Sequence, residues 1–101
     1  MPLLRTPEEA KALVQSTKFP PVGTRGFGSP LAMERFNPVP TFTEYLQHAN
    51  DTLLTIVQIE TKEALESVEE IAAVPGIDCL FIGPFDLGTT LPFSKTCLFG
   101  L

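Results

Sequence analysis

Two short apolar runs in the second half of the chain are separated by a helical pattern. Residues 53–59 are nearly continuously apolar and β-branched, and residues 77–82 repeat that character. Such runs are typical of strands covered on both faces. Between them, apolar residues recur at helical spacing: Ala64, Leu65, Val68, Ile71 and Ala72. This order predicts a strand–helix–strand unit with parallel strands and a right-handed crossover.

Capping signals predict where three helices begin. Thr6 can cap a helix that has Pro7 at its first position, and Glu9 can close a capping box onto Thr6. Residues 41–44, Thr-Phe-Thr-Glu, form a second capping box, whose helix is expected to end near residue 50. Thr61 is expected to cap the helix between the two strands.

The first forty residues are less regular. Residues 1–4 are apolar and fit the end of a further strand, whereas residues 18–40 are rich in proline and glycine and are predicted to be a long loop with a helical turn at 31–36. Strands and helices therefore alternate along the chain. This alternation predicts an α/β fold with a parallel sheet.

Composition narrows the functional classes. The chain has 101 residues, 44% of them hydrophobic and 19% charged, which is typical of a globular domain. Its net charge of −5 argues against a nucleic-acid partner. No apolar run is long enough to cross a membrane and no secretory signal is visible, so we expect a cytoplasmic protein. Cys79 and Cys97 show no metal-binding spacing, and Cys79 is expected to be a buried thiol.

Two carboxylates follow the two predicted strands. Glu60 ends the first strand, and Asp86 lies four residues past the second, on the turn 83–86. Parallel strands end at the same edge of a sheet, and neighbouring strands are about 4.8 Å apart. Two carboxylates this close repel each other unless a cation neutralises them, and oxygen ligands favour Mg²⁺ or Mn²⁺. Gln58 lies on the same face as Glu60 and can offer its amide to a ligand.

Other interpretations of these residues stay open at this point. Glu60 fits equally the first turn of the next helix, with Asp86 an ordinary turn residue, and spacing alone does not decide. Residues 25–28, Arg-Gly-Phe-Gly, lack the full glycine pattern of a dinucleotide site and fit a flexible turn better. His48, the single histidine, fits a solvated helix surface rather than a catalytic base.

Three segments in register resemble the HpcH/HpaI aldolase/citrate lyase family: residues 18–29, 57–61 and 76–87. The resemblance implies a (β/α)₈ barrel of the phosphoenolpyruvate/pyruvate-domain type, which has about 250 residues. This chain would supply about three βα units of it. Residues 1–91 match the barrel, and residues 92–101 are expected to be an unmatched tail.

The resemblance implies a metal-dependent carbon–carbon lyase that cleaves a 4-hydroxy-2-oxo acid to pyruvate and an aldehyde. Glu60 and Asp86 would bind the divalent metal, Mg²⁺ or Mn²⁺ with Co²⁺ as a further option, which acts as Lewis acid and template. Gln58, the backbone at Phe85, and Asp86 would contact the oxo acid. Phe85 departs from the family, which usually has a small residue there.

The resemblance also sets limits on activity. The family's histidine base and its arginine belong to regions before Met1, and neither His48 nor Arg25 matches them, so no catalytic residue is assigned. We therefore expect little turnover and a poorly stable chain. A non-catalytic segment, a partner of a full-length paralogue, and the malyl-CoA or citrate lyase branch remain alternatives. The family forms homo-oligomers, an expectation that a partial barrel puts in doubt.

Overall fold

The computed structural model describes residues 1–28 and 30–91, apart from the side chains of residues 30 and 31. Its elements are α1 (Pro7–Thr17), a 3₁₀ helix (Pro30–Arg35), α2 (Phe42–Thr52), β1 (Ile56–Ile59), α3 (Lys62–Glu66), α4 (Val68–Ala72), β2 (Cys79–Ile82) and α5 (Pro84–Thr90). The chain divides into two compact units. Among the described residues, the first comprises residues 1–13 and 54–91, and the second comprises those between 14 and 53.

The first unit is built on the predicted parallel pair. β1 and β2 pair in parallel, with Ile56 opposite Cys79 and Ile59 opposite Ile82. Each strand has four residues, so both are shorter than the apolar runs that predicted them. The backbone oxygen of Thr55 accepts hydrogen bonds from the backbone N–H groups of Asp78 and Cys79, which opens the ladder at its N-terminal end.

The crossover between the strands consists of two short helices rather than the single predicted one. Thr61 caps α3 as expected, accepting a hydrogen bond from the N–H of Ala64 at 3.1 Å. Ser67 then leaves helical geometry, with φ −107° and ψ 18°, and α4 begins after it. Because the break disturbs the helical phase, only part of the predicted apolar face is covered. Ala64 and Ile71 are buried and Val68 is half-buried, whereas Leu65 and Ala72 are exposed.

Burial differs between the two strands. Val57 and Ile59 of β1 are buried, and they form the core of this unit together with further apolar side chains: Leu4, Ala10, Ala64, Ile71 and Val74. In β2, Phe81 and Ile82 are 56% and 64% exposed. The prediction that β2 is buried is therefore wrong, because β1 is its one neighbouring strand in the described part of the chain. Cys79 is exposed too, which corrects the expected buried thiol.

Residues 1–4 contain no assigned strand, yet Met1 pairs with β1 in the manner of a parallel strand. Its backbone nitrogen donates to the carbonyl of Ile56 at 2.8 Å, and the N–H of Gln58 donates to the carbonyl of Met1 at 2.9 Å. This alternation is the pattern of a parallel ladder. The backbone of Met1 thus lies along the edge of β1 that faces away from β2.

Helix α1 begins at Pro7, as its capping signal predicts. The N–H of Glu9 donates to the hydroxyl of Thr6 at 3.2 Å. The carboxylate of Glu9 accepts a hydrogen bond from the N–H of Arg5 at 2.8 Å. The predicted capping box would have used the N–H of Thr6, one residue later in the chain. In the described residues, no helix is long and apolar enough to cross a membrane.

In the second unit, the predicted capping box starts α2. Thr41 and Glu44 exchange both bonds of the box. These hydrogen bonds, first from the backbone of Thr41 and then from its hydroxyl, hold the pKa of Glu44 below its ordinary value. The predicted helical turn at 31–36 is present as the 3₁₀ helix.

The start of the long loop is anchored by hydrogen bonds and by a contact between an arginine and an aromatic ring. Lys18 is buried and donates from Nζ to the carbonyl oxygen of Asn50 at 2.5 Å. The side chain of Asn50 bonds both the N–H and the carbonyl of Phe19. The guanidinium of Arg25 lies 4.4 Å from the centre of the Phe19 ring and donates to the hydroxyl of Tyr45 at 3.2 Å. The expected flexible turn therefore begins at an anchored arginine.

Candidate functional site

The carboxyl ends of β1 and β2 meet at one edge of the sheet. Ile59 lies opposite Ile82, so Glu60 and Gly83 are the residues that follow each strand at the same level. The N–H of Gly83 donates to the carbonyl of Ile59 at 3.1 Å, which closes the ladder at this edge. In parallel α/β sheets this edge is where ligands bind.

Glu60 is a buried carboxylate at this edge, 3% exposed. Its Oε1 accepts a hydrogen bond from the backbone N–H of Leu3 at 2.6 Å, and its Oε2 lies 3.5 Å from Nε2 of Gln58. The ion pair found in the described part of the chain is elsewhere, between Lys62 and Glu66 on the surface. A buried charge is costly unless it is paired or coordinates a metal. The surroundings of Glu60 therefore fit a carboxylate that binds a cation.

Gly83 makes room for Glu60. A Cβ atom at Gly83 would lie 2.8 Å from Cβ of Glu60 and closer still to Oε2. Real Cβ atoms essentially never approach so closely, and the glutamate backbone cannot move away without disturbing β1. Glycine is thus required at position 83 because the Glu60 side chain lies against its backbone.

Asp86 occupies a helix rather than the predicted turn. It is the third residue of α5, which starts directly after Gly83 with Pro84 at its first position. Proline is preorganised for that position and its missing N–H is not needed there, so a helix begins where the sequence predicted a turn. The side chain of Asp86 is exposed, in contrast to Glu60.

The remaining predicted ligand-binding residues, Gln58 and Phe85, lie on β1 and α5. Gln58 is half-buried on β1, with its amide directed to Glu60. Phe85 is the second residue of α5, and its ring is 77% exposed. The structure thus joins Gln58 to Glu60 and places Phe85 and Asp86 in the helix that starts beside Glu60.

The predicted donors of this edge are the two carboxylates of Glu60 and Asp86. Within residues 1–28 and 30–91, no group of three or more histidine, cysteine, aspartate or glutamate side chains could hold a metal ion. Mg²⁺ is commonly bound through one or two carboxylates, with water and substrate completing its shell. A pair of carboxylates from Glu60 and Asp86 would fit this type of Mg²⁺ coordination. The same pair does not fit a structural zinc site, which has four protein ligands.

Leu3 is a residue of this edge that sequence reasoning did not identify. Its backbone adopts a φ of +51°, and its N–H points to Glu60. Leucine rarely adopts positive φ, so the sequence carries no signal for this contact. The neighbouring Leu4 is fully buried, and its carbonyl accepts a hydrogen bond from the hydroxyl of Thr61 at 3.0 Å.

His48 and Arg25, to which the sequence assigned no catalytic role, belong to the second unit. His48 is exposed on α2, in agreement with the predicted solvated histidine. Arg25 is half-buried and engaged with Phe19 and Tyr45. Both belong to the second unit, whereas β1 and β2 belong to the first.

Comparison with known proteins decides the family. The HpcH/HpaI aldolase/citrate lyase family matches residues 1–97. The chain belongs to this family. A curated relative, the hydroxypyruvate/pyruvate aldolase of Deinococcus radiodurans, is 50% identical over 92 residues, which is 90% of this chain and 32% of the relative. The 4-hydroxy-2-oxo-heptane-1,7-dioate aldolase of Escherichia coli is 42% identical over 95 residues, 93% of this chain and 35% of that enzyme.

Solved structures of the HpcH/HpaI family give the same assignment. The crystal structure of an HpcH/HpaI aldolase/citrate lyase family protein from Burkholderia cenocepacia superposes with a TM-score of 0.77 at 39% identity, covering 94% of this chain and 37% of that one. The chain therefore has the fold of part of a TIM-type barrel and spans about a third of the length of the relatives it matches.

Proposed function

We propose that this HpcH/HpaI chain carries the metal- and oxo-acid-binding edge of an aldolase that cleaves 4-hydroxy-2-oxo acids to pyruvate and an aldehyde. The observation that carries the proposal is the environment of Glu60. It is a buried carboxylate at the carboxyl edge of a parallel sheet, and no cationic side chain pairs with it in the described residues. The names of the relatives, which are pyruvate-type aldolases, support the reaction class.

Glu60 and Asp86 would hold a divalent metal, Mg²⁺ or Mn²⁺, since both offer hard oxygen donors. Such a metal supplies Lewis acidity that polarises the carbonyl of an oxo acid. The two carboxylates have different tasks because their exposures differ. Buried Glu60 has a fixed position, whereas exposed Asp86 can adjust at the start of α5.

Gln58 would orient the oxo acid. Its side chain lies on the same strand face as Glu60, two residues earlier, and its amide group can both donate and accept hydrogen bonds. The backbone at Phe85 and the carboxylate of Asp86 would bound the site on the α5 side. The exposed ring of Phe85 would limit the size of the substrate, because it stands where relatives are expected to have a small residue.

Cleavage also needs a group that accepts the proton of the substrate hydroxyl. The chain has one histidine, His48, which belongs to the second unit and does not match the position of the family's base. We therefore expect the 101-residue chain to bind metal and oxo acid while releasing little pyruvate on its own.

The proposal is tested by measuring Mn²⁺ affinity and pyruvate release from a 4-hydroxy-2-oxo acid for the purified chain, its Glu60→Ala variant and a Glu69→Ala control. Glu69 is exposed on α4, so its removal changes the net charge by the same amount without touching the edge. Loss of Mn²⁺ binding in Glu60→Ala alone supports the site. Equal Mn²⁺ affinity in all three proteins contradicts it.

A second candidate function is a segment that binds metal without catalysing the reaction. It is favoured because the chain's single histidine, His48, does not match the position of the family's base. The same assay separates the two functions. Glu60-dependent binding with no pyruvate supports the non-catalytic segment, whereas Glu60-dependent turnover supports the aldolase. Cleavage of malyl-CoA in place of the oxo acid would favour the acyl-CoA lyase branch.

A further inference from the structure

The first four residues are held against β1 and α3 on both sides of Leu3. Met1 makes two backbone hydrogen bonds to β1, with Ile56 and Gln58. On the other side, Leu4 is fully buried, and its carbonyl accepts the hydroxyl hydrogen bond of Thr61. The peptide between these anchor points has little freedom. The direction of the Leu3 N–H is therefore set by contacts that do not involve the carboxylate.

Leu3 adopts a backbone conformation that its own side chain does not explain. Its φ of +51° lies in the left-handed region, which leucine rarely enters. The side chain is 54% exposed, so the conformation does not serve to bury it. What the conformation does provide is a hydrogen bond of 2.6 Å from the Leu3 N–H to Oε1 of Glu60.

The two oxygens of Glu60 consequently differ. Oε1 is engaged by the Leu3 N–H, whereas Oε2 has only the 3.5 Å contact with Gln58 and faces the backbone of Gly83. A hydrogen bond to one oxygen fixes the rotation of the carboxylate, and the second oxygen keeps no short hydrogen bond in the described residues. Groups that orient a metal-binding side chain in this way commonly change metal affinity when they are removed.

We propose that the backbone N–H of Leu3 is a positioning group for the metal-binding carboxylate of Glu60. This inference rests on the proposed metal site and adds to it a donor from a segment outside the two strands. It also accounts for the left-handed backbone at position 3. Because the donor belongs to the main chain, no ordinary side-chain substitution scan would reveal it.

The sharpest test removes the N–H while keeping the side chain. Replacing Leu3 by leucic acid, the α-hydroxy analogue, turns the peptide bond before residue 3 into an ester. The same replacement at Leu4 is the matched control, because in the described part of the chain the Leu4 N–H makes no hydrogen bond. We expect the ester at position 3 to weaken Mn²⁺ binding about 10-fold or more, and the ester at position 4 to leave it unchanged.

Two further variants make the result specific to Glu60. Leu3→Gly keeps the N–H and tolerates positive φ, so it should bind Mn²⁺ as the wild type does. Glu60→Ala should itself abolish Mn²⁺ binding, and the ester protein at position 3 should keep the circular dichroism of the wild type, so its weaker Mn²⁺ binding reports on the carboxylate rather than on folding. In the metal-free wild type, the short bond should place the Leu3 amide proton far downfield in the NMR spectrum, and Glu60→Ala should remove that shift.

The outcomes separate this inference from the function on which it rests. Equal Mn²⁺ affinity of the two ester proteins, with binding still dependent on Glu60, overturns the role of Leu3 alone. A wild-type chain that binds Mn²⁺ no better than Glu60→Ala overturns the proposed metal site and this inference with it. A loss of Mn²⁺ binding at position 3 that is accompanied by loss of the circular dichroism of the folded chain shows a general effect on folding and also overturns the inference.

Discussion

Glu60 is held by neighbours on three sides, each with a different role. The Leu3 N–H fixes one carboxylate oxygen, Gln58 approaches the other, and Gly83 leaves the space that the side chain occupies. Of these neighbours, Gln58 is visible in the sequence because strand residues two apart share a face. Gly83 and Leu3 become neighbours of Glu60 only through the pairing of β1 with β2 and with Met1.

Gly83→Ala should therefore impair metal binding without altering any predicted ligand. The added methyl group would overlap Glu60 and force its carboxylate to turn. We expect Mn²⁺ affinity to fall about 10- to 100-fold, as for the loss of groups that orient a metal ligand. Isothermal titration with Mn²⁺ measures the change.

Gly26→Ala is the matched control for this substitution. A Cβ atom at Gly26 would meet nothing within 4 Å, so the control adds the same group at a position with open space. Equal Mn²⁺ affinities of the two variants would show that Glu60 accommodates the methyl group, contrary to the packing described above.

At the scale of elements, three helix starts were predictable, whereas the starts of α4 and α5 and the strand limits were not. Thr6, Thr41 and Thr61 all cap helices where the sequence places them, because a cap depends on residues three positions apart. The single crossover helix is interrupted at Ser67, and both strands are shorter than their apolar runs. Those limits depend on contacts between elements, which local pattern does not contain.

Substitution by valine should affect the free energy of unfolding differently at two buried threonines that lie near the two ends of β1, Thr55 and Thr61. The hydroxyl of Thr55 is buried and has no hydrogen-bond partner in the described structure, whereas that of Thr61 accepts from Ala64 and donates to Leu4. Thr55→Val should leave the free energy of unfolding unchanged or raise it by about 1 kcal/mol, because a buried unpaired hydroxyl is costly. Thr61→Val should lower it by about 1–3 kcal/mol.

Urea unfolding of the two variants measures both effects with one probe. The side-chain change is identical, so differences in hydrophobicity cancel between them. A destabilisation of Thr55→Val as large as that of Thr61→Val would show that the hydroxyl of Thr55 has a partner, for example an ordered water.

For the whole molecule, the main feature is the exposure of β2. Phe81 and Ile82, whose side chains point to opposite faces of the sheet, are both more than half exposed, and Ile56 of β1 is 45% exposed. In the described residues, β2 pairs with β1 on one edge and has no strand on the other. Open apolar edges of this kind favour association between chains.

We therefore expect the isolated chain to self-associate and to unfold with low cooperativity. Phe81→Lys should reduce association, since a charged side chain on an edge strand opposes further pairing. Sedimentation velocity at several concentrations, together with a thermal melt, measures both properties. Leu65→Lys, at an apolar position 40% exposed on α3 rather than on the sheet, is the control.

A monodisperse wild-type monomer with a sharp melting transition would contradict this expectation. So would an equal reduction of association by the two lysine substitutions, which would assign the effect to added charge rather than to the strand.

Sequence pattern alone was enough to predict the strand–helix–strand order of residues 53–82, the parallel pairing of its strands, three helix caps, and the two carboxylates that follow the strands. These features depend on hydrophobic periodicity and on residues close together in the chain. Packing between distant segments sets the burial of Glu60, the exposure of Asp86 and β2, and the contacts of Leu3 and Gly83 with Glu60. These features arise from contacts between residues more than twenty positions apart, whose geometry no local pattern encodes.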